Sequence, residues 1–172
     1  LTEEFLGGAA VNEAYDPDQQ KRIALPYRSR HPLSAHHAGT LLVDQAPLEP
    51  TAPTHDRTFL SDKACWAALS CDELDTTNDI VKSNILYTVP YEATKFYRRF
   101  VLQDGREALL ARVDQPEVGH SADGMSSLGQ NFTLEVLVED PADASQTLRI
   151  MLIWTAAVVN GDDLSAINID GI

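Results

Sequence analysis

Three closely spaced histidines are the first candidates for chemistry in this sequence. His31, His36 and His37 fall in one short stretch, and imidazole is a frequent zinc ligand. A tetrahedral site needs three or four converging ligands, whereas adjacent histidines in an extended segment point to opposite sides. The spacing therefore favours hydrogen-bonded loop histidines, and we expect neither a metal site nor another cofactor.

A glycine-flanked serine is the second candidate. The stretch from Gly119 to Gly124 contains His120 and Ser121 and resembles the nucleophile elbow of α/β-hydrolases, where the serine occupies a strained strand-to-helix turn. Asp123 replaces the last glycine of that pattern, and no helical periodicity follows it. A turn-rich loop explains the glycines without catalysis. We expect a protein that is not an enzyme, and a hydrolase using His120 and Ser121 is the alternative.

Two cysteines, Cys65 and Cys71, are six positions apart. In one continuous helix their Cα atoms would lie about 9 Å apart, which is too far for a disulfide. A disulfide requires the helix to end near Leu69. The pair leaves open whether the protein is exported or intracellular. We expect any targeting segment to have been removed or to lie outside a sequence that starts at Leu1, so the compartment stays unknown.

Acidic residues outnumber basic ones, and this argues against several classes of partner. The 172 residues include 26 Asp and Glu against 13 Lys and Arg, which gives a formal net charge of -13. Nucleic acid and anionic membrane surfaces would repel such a chain. The longest apolar run, Ile150 to Val159, is about half as long as a membrane-spanning helix. We expect no nucleic-acid partner and no transmembrane segment.

Residues 1–60 have the composition of an extended, proline-rich arm. Six prolines interrupt any helix there, and the stretch between Asp18 and Asp44 contains basic but no acidic residues. The sequence after Val113 is acidic by contrast, so the arm can dock on its own domain, on another copy or on a different subunit. The residues that we expect to contact a partner are Arg22, Tyr27, Arg28, Arg30, Leu41 and Leu42.

Residues 61–172 are predicted to form an antiparallel β-sandwich or jelly roll with a helical insertion at 61–82. The best helix runs from Ser61 to Leu74, with Ser61 or Asp62 as its N-cap. From Ile85 onward apolar residues alternate with polar ones, as in strands that bury one face. Strands arranged in hairpins beside a short helix favour the sandwich, and a partly open barrel is the alternative.

Two hairpins are expected within this body. Asp104-Gly105 lies between two alternating runs and predicts a two-residue turn that places Tyr97 opposite Arg112. The second hairpin joins residues 132–139 to residues 148–154. The returning strand is apolar on both sides, which predicts a central strand that is covered on both faces.

Two functions of different kinds fit these features. The first is a non-catalytic subunit of a homo- or hetero-oligomer that docks through the arm, because the apolar residues of the arm cannot bury themselves alone. The second is a secreted module that binds a small ligand or carbohydrate beside the first hairpin. It predicts a concave, aromatic-lined pocket, and coverage of that face by the arm would contradict it. Its expected ligand-binding residues are Tyr97, Arg99 and Arg112, with Trp66 or Tyr87 nearby.

Overall fold

The computed structural model describes residues 21–49, 51–83 and 85–163. Most of these residues belong to strands. The strands are β1 Lys21–Ser29, β2 Thr54–Phe59, β3 Glu73–Ser83, β4 Thr88–Val101, β5 Glu107–Asp114, β6 Gly119–His120, β7 Ser127–Glu139, β8 Thr147–Val159 and β9 Asp162–Asp163. The helices are α1 Leu33–Gly39 and α2 Lys63–Ala67, with a 3-10 turn at Ala46–Leu48. No helix in these ranges is long and apolar enough to cross a membrane.

All the described strands belong to one sheet. Its main strands follow the order β1-β8-β7-β5-β4-β3-β2, while the short β6 pairs with β7 and the short β9 with β8. Every pair is antiparallel. The predicted antiparallel, mainly β class is confirmed. The sandwich or jelly roll is not confirmed, because those architectures need two packed sheets and the described residues form one.

This sheet curves strongly around a cavity. Seven strands at the usual spacing would hold the edge strands about 29 Å apart if the sheet were flat. Residues of both edges nevertheless line one cavity of about 960 Å³, with Tyr27 of β1 on one side and His55 of β2 on the other. The sheet must therefore roll its two edges toward each other.

The segment between β1 and β2 spans the gap between the two edges. On the β2 side, the Gln45 amide donates to the His55 carbonyl at 2.7 Å, and the Arg57 amide donates to the Val43 carbonyl at 2.9 Å. On the β1 side, His36 Nε2 of helix α1 lies 2.9 Å from Ser29 Oγ. Residues 21–59, which the sequence assigned to the arm, thus supply two strands of the sheet and the segment that links its edges.

The main core lies where both helices pack on the concave face. Leu33 of α1 and Trp66 of α2 form one buried cluster with five residues of the sheet. Burying these side chains supplies the main driving force that holds the two short helices in place, since helices of this length are unstable alone. The sheet residues of this cluster are Leu74, Tyr97, Leu109, Ala111 and Leu137.

Helix α2 begins where the sequence predicts but ends earlier. The Asp62 carboxylate accepts hydrogen bonds from the amides of Ala64 and Cys65 at 2.8 and 3.1 Å, which confirms the predicted N-cap. The helix ends at Ala67, and Leu69 adopts a left-handed φ of 57°. The rest of the predicted helix is wrong, because residues 73–83 form β3 and bury alternate side chains from Leu74 onward.

The first hairpin is confirmed, but its register is shifted by one residue. Three residues, not two, separate Leu102 from Arg106, whose carbonyl accepts a 2.8 Å bond from the Leu102 amide. Gly105 supplies the left-handed position of this loop with a φ of 86°, as in three-residue hairpin loops. Tyr97 therefore lies opposite Ala111 and not opposite Arg112. The shift puts Tyr97 and Ala111 together on the concave face.

The second hairpin is confirmed with β7 and β8 as its strands. Strand β8 is central, as predicted, because it pairs with β7 on one side and with β1 on the other. Its predicted coverage on both faces is wrong for the described residues. Ile150 points to the convex face and is 51% exposed, so β8 is enclosed by neighbouring strands without a second layer over that face.

Candidate ligand cavity

The concave face of the sheet encloses a cavity of about 960 Å³. This volume lies at the upper end of the range typical of small-molecule sites. Four tyrosines line it, namely Tyr27, Tyr87, Tyr91 and Tyr97. Much of the remaining wall is aliphatic and includes Leu109, Val113, Leu137, Met151 and Ile153. The cavity can therefore hold a mainly apolar molecule and offer it polar contacts at a few points.

Cross-strand register builds this wall. Side chains directly opposite each other on neighbouring strands share a face. Val113 of β5 pairs with Thr133 of β7, which pairs with Ile153 of β8. All three line the cavity. Every second residue of each strand thus points inward, and the alternation in the sequence becomes one continuous lining.

A lysine on the cavity wall lies beside a histidine and a glutamate. Lys95 Nζ of β4 is 3.3 Å from His55 Nε2 of β2. His55 Nδ1 is 2.9 Å from Glu49 Oε2, which belongs to the segment between β1 and β2. Glu49 also forms an ion pair with Lys82 of β3. The three groups form a chain from the Lys95 amine to a carboxylate.

The protonation of this chain follows from its partners. Burial, with the nearby Lys95 charge, lowers the pKa of His55 to about 4, so the ring is neutral at neutral pH. The Glu49 carboxylate only accepts hydrogen bonds, so His55 Nδ1 carries the ring proton. His55 Nε2 is then an acceptor, and Lys95 Nζ donates to it.

The surroundings of Lys95 lower the pKa of its amine. Burial and, to a smaller extent, the positive charges of Arg57 and Lys82 lower its pKa to about 7. Desolvation of this kind disfavours an ammonium ion. Within the described residues, Lys95 forms no ion pair with a carboxylate. At neutral pH a large fraction of Lys95 is a free amine that faces the cavity.

Arg57 lies near the same end of the cavity, behind the residues that line it. Its guanidinium donates to Tyr97 Oη at 2.7 Å and to Asn78 Oδ1 at 3.1 Å, and it also donates to the Thr40 carbonyl. The guanidinium carbon lies 5.3 Å from the centre of the Tyr97 ring. Because neutral acceptors hold Arg57, its positive charge contributes to the field around Lys95.

A second polar group on the wall is internally neutralised. Arg149 of β8 forms an ion pair with Glu135 of β7, and its guanidinium carbon lies 4.9 Å from the centre of the Tyr27 ring. Both charged residues line the cavity. A pair of opposite charges presents hydrogen-bonding groups but little net field. The uncompensated positive charge of the site is therefore at the Lys95 end.

The three predicted ligand-binding residues are not brought together. Tyr97 lines the cavity. Arg99 binds Asp72 at 2.9 Å and the Leu69 carbonyl at 2.7 Å, at the end of the face that helix α1 covers. Arg112 lies on the convex face, 4.2 Å from the centre of the Phe96 ring and 2.8 Å from Asp114.

The two other aromatic residues considered from the sequence differ in their placement. Trp66 is fully buried in the core, where it stacks on His37 with ring centres 4.8 Å apart. Its indole nitrogen donates to Thr40 Oγ1 at 2.8 Å. Tyr87, by contrast, lines the cavity. Part of the arm, helix α1, covers one end of the hairpin face, while the cavity lies over the remainder.

The predicted partner-binding residues are scattered, and several contact their own chain. Tyr27 lines the cavity, and Arg28 forms an ion pair with Asp140 at 2.8 Å. Leu41 packs on the main core. Tyr27, Arg28, Arg30 and Leu42 are exposed. The side chain of Arg22 lies outside the part that the structure describes.

The hydrolase and metal candidates lack the expected geometry. Ser121 Oγ donates to Asp123 at 2.6 Å and accepts from the Ser126 amide at 2.9 Å in a tight turn, and no helix follows it. His120 is exposed. No group of three metal-ligating side chains occurs among the residues that the structure describes. A tight turn, without a catalytic role, accounts for the contacts of Ser121.

Sequence reasoning missed Lys95, His55 and Arg57. One signal was available for Lys95, because alternation along β4 places it on the same face as Tyr97, a predicted ligand-binding residue. No such signal marks His55 and Arg57, which fall in a segment that reads as an extended arm. No protein-family model and no curated protein matches this chain, so the functional argument depends on the cavity itself.

Proposed function

We propose that this protein binds a small, mainly apolar molecule in the concave cavity, with an oxygen-bearing end directed at Lys95 and His55. The observation that carries this proposal is a cavity of about 960 Å³ with an aliphatic and tyrosine wall. Its polar groups converge at one end, as in sites where a few polar contacts orient an apolar ligand.

The charge distribution supports a ligand whose polar end accepts hydrogen bonds. Lys95, Lys82 and Arg57 lie close enough to one another to lower the pKa of Lys95, while Glu49 pairs with Lys82. A carboxylate or carbonyl oxygen near Lys95 would offset the cost of this clustered positive charge. This cluster of positive groups is opposite in sign to the overall formal charge of -13.

The test uses 1-anilinonaphthalene-8-sulfonate, an apolar anion that fluoresces when it leaves water. We expect saturable binding by the native chain and loss of binding, by at least about tenfold in affinity, in Thr133→Trp, because an indole at the middle of the wall fills the cavity. Val101→Trp is the matched control, since Val101 is 66% exposed and does not line the cavity.

Thermal unfolding of each variant accompanies these titrations, because partly folded chains also bind this dye. Thr133→Trp must unfold cooperatively for its result to count. Equal binding by the native chain, Thr133→Trp and Val101→Trp would show that the dye binds elsewhere and would refute the proposal. Loss of binding in Thr133→Trp alone would support it.

An interaction subunit is the second candidate, and the convex face favours it. Apolar residues occupy successive cross-strand positions there, with Pro26 opposite Ile150 and Ile150 opposite Val136. Exposed apolar patches of this kind often mark contacts with other chains. Sedimentation of the native chain and of Ile150→Glu tests self-association. A native monomer at all concentrations would exclude the homo-oligomer, and a native oligomer that Ile150→Glu dissociates would support it.

A further inference from the structure

The Lys95 amine has the surroundings of a nucleophile. It lies on the wall of a cavity, 3.3 Å from a histidine nitrogen that acts as an acceptor. His55 is in turn oriented by Glu49, whose carboxylate oxygen is 2.9 Å from His55 Nδ1. Nucleophile, base and orienting carboxylate within hydrogen-bonding reach form a recognisable arrangement for covalent chemistry.

We propose that Lys95 condenses with an aldehyde or ketone carbonyl of the cavity ligand to form a reversible imine. This inference rests on the proposed function, because it assumes that a small molecule enters the cavity. A lysine that carries an ordinary charge is protonated at neutral pH and cannot attack a carbonyl. The Lys95 pKa of about 7 removes that obstacle.

The condensation requires no oxidant, reductant or metal. The Nζ lone pair forms a bond to the carbonyl carbon, and the π electrons of the C=O bond move to its oxygen. His55 Nε2 accepts a proton from the attacking nitrogen and returns it to that oxygen, which gives a carbinolamine. The C–O bond then breaks, the nitrogen lone pair forms C=N, and oxygen leaves as water after it receives the second nitrogen proton.

The charged groups around Lys95 come from two strands and one connecting segment. Arg57 and His55 face it from β2, and Lys82 lies on β3. Glu49, in the segment between β1 and β2, reaches the cluster through His55 and Lys82. The positive members favour the neutral amine. They also disfavour a protonated imine, so the product is expected to be the neutral imine, which hydrolysis can reverse.

The chain offers a small set of competing amines. It contains four lysines, at positions 21, 63, 82 and 95. Lys63 is exposed at the start of helix α2, and Lys82 shares the cavity with Lys95. Cinnamaldehyde, an apolar aldehyde, is the probe, and sodium borohydride, added after the imine has formed, reduces the neutral imine to a secondary amine. The mass of the trapped protein increases by that of the aldehyde less one oxygen atom.

At pH 7 we expect the main adduct on Lys95 after peptide mapping, formed at least about tenfold faster than on exposed Lys63, because burial lowers the pKa of Lys95 to about 7. Burial also lowers the pKa of Lys82, but its ion pair with Glu49 holds Lys82 in the protonated form. Lys95→Arg is expected to lose this adduct, because a guanidinium stays protonated and does not condense with an aldehyde, and cooperative thermal unfolding shows that the variant is folded. Lys63→Arg is the matched control and is expected to keep the Lys95 adduct unchanged.

The pH dependence of the labelling rate distinguishes a lysine whose pKa is lowered by its site from a lysine that is merely accessible. The rate of Lys95 labelling should level off above about pH 7, whereas labelling of a lysine in a short unstructured peptide should continue to rise toward pH 10. His55→Gln should slow labelling of Lys95 at least about tenfold in a variant that still unfolds cooperatively, because glutamine accepts a hydrogen bond but does not relay a proton.

The outcomes for this inference and for the proposed function are distinguishable. Dye binding in the cavity without a preference for Lys95 over Lys63 or Lys82 would overturn the imine and leave the binding function standing. Failure of the dye to bind in the cavity, together with equal labelling of all lysines, would overturn both. Selective labelling of Lys95 that cavity-filling Thr133→Trp abolishes would support both.

Discussion

The fold lowers the pKa of two basic side chains, Lys95 and His55. Burial lowers the pKa of Lys95 to about 7 and that of His55 to about 4. In each case the unfolded chain binds a proton at a pH where the folded chain does not, so each group destabilises the fold over that range. Such a destabilising group persists when the surrounding structure holds it in place. Groups with strongly shifted pKa values of this kind are common in functional sites.

Lys95→Met should therefore stabilise the protein at neutral pH. The unfolded Lys95 binds its proton below about pH 10.5 and the folded Lys95 only below about pH 7. The gain in the free energy of unfolding should be about 1–3 kcal/mol at pH 7 and below, after allowance for relaxation of the site. It should shrink as the pH rises from 7 to about 10.5.

Urea denaturation at several pH values measures this difference. Lys63→Met is the control, because Lys63 is exposed and lies only over the Phe59 ring. A stabilisation that is the same at pH 6 and pH 10 would contradict the lowered pKa of Lys95. It would then reflect the larger apolar surface of methionine alone.

Tyr97→Phe should destabilise the protein because it removes an acceptor from a buried cation. Arg57 donates to Tyr97 Oη at 2.7 Å, and an unpaired N–H of a buried guanidinium costs about 1–3 kcal/mol. Tyr91→Phe is the comparison, since Tyr91 Oη is 3.2 Å from the neutral Asn131 amide. We expect a smaller loss there, about 1 kcal/mol. Equal losses by urea denaturation would show that the Arg57 contact carries no additional stability.

At the scale of elements, local patterns predicted the starts and types of structure better than their ends. The Asp62 cap is a local contact with the first turn of α2, so the sequence around it was sufficient. The end of α2 depends on β3, whose Leu74 is buried in a core cluster that contains residues distant in sequence. The predicted hairpin register was wrong because Gly105 permits both a two-residue and a three-residue loop, so the local sequence did not specify which loop forms.

The glycine at the start of β6 illustrates how packing can imitate a catalytic motif. A side-chain carbon at Gly119 would lie 2.7 Å from the Pro90 carbonyl oxygen and 2.9 Å from side-chain atoms of Val89 and Tyr91. Those atoms belong to β4 and include backbone, so they have little freedom to move. The close approach of β6 to β4 explains the glycine without a nucleophile elbow.

Gly119→Ala should therefore lower the free energy of unfolding by about 1–3 kcal/mol through overpacking. Gly124→Ala, in the same turn region, is the control, because nothing lies within 4 Å of its added carbon and only its φ of 69° is unfavourable. We expect about 1 kcal/mol there. If Gly119→Ala proved as mild as Gly124→Ala in chemical denaturation, the packing of β6 on β4 would be looser than the structure indicates.

The segment between β1 and β2 is held by a buried hydroxyl. Thr40 Oγ1 accepts from the Trp66 indole at 2.8 Å and donates to the His37 carbonyl at 2.7 Å. Thr40→Val keeps the shape and leaves the buried indole N–H without its acceptor, which should cost about 1–3 kcal/mol. Thr54→Val, at an exposed position of β2, should change stability by less than about 0.5 kcal/mol. Similar losses in thermal unfolding would refute the anchoring role of Thr40.

At the scale of the whole molecule, curvature is the property that the sequence did not reveal. The alternation along each strand was predictable from β4 onward, but the register that brings Tyr97 and Ala111 to one face was not, because the predicted hairpin placed Tyr97 opposite Arg112. Whether that face belongs to a sandwich or encloses a cavity depends on where the edge strands lie. Those edges are β1 and β2, whose pairing partners are set by contacts across more than 100 residues in the case of β1.

The same curvature predicts how a ligand affects the backbone far from its own contacts. If both edges line one cavity, a bound molecule stabilises the closed sheet and suppresses opening at either edge. Amide hydrogen exchange should therefore slow on binding 1-anilinonaphthalene-8-sulfonate both in β1 and around Gln45 and Arg57, whose amides link β2 to the connecting segment. The exposed part of the β7–β8 loop, residues 141–145, is the internal control and should not change. Protection confined to one edge would mean that the dye contacts one strand, and that the sheet does not close around its ligand.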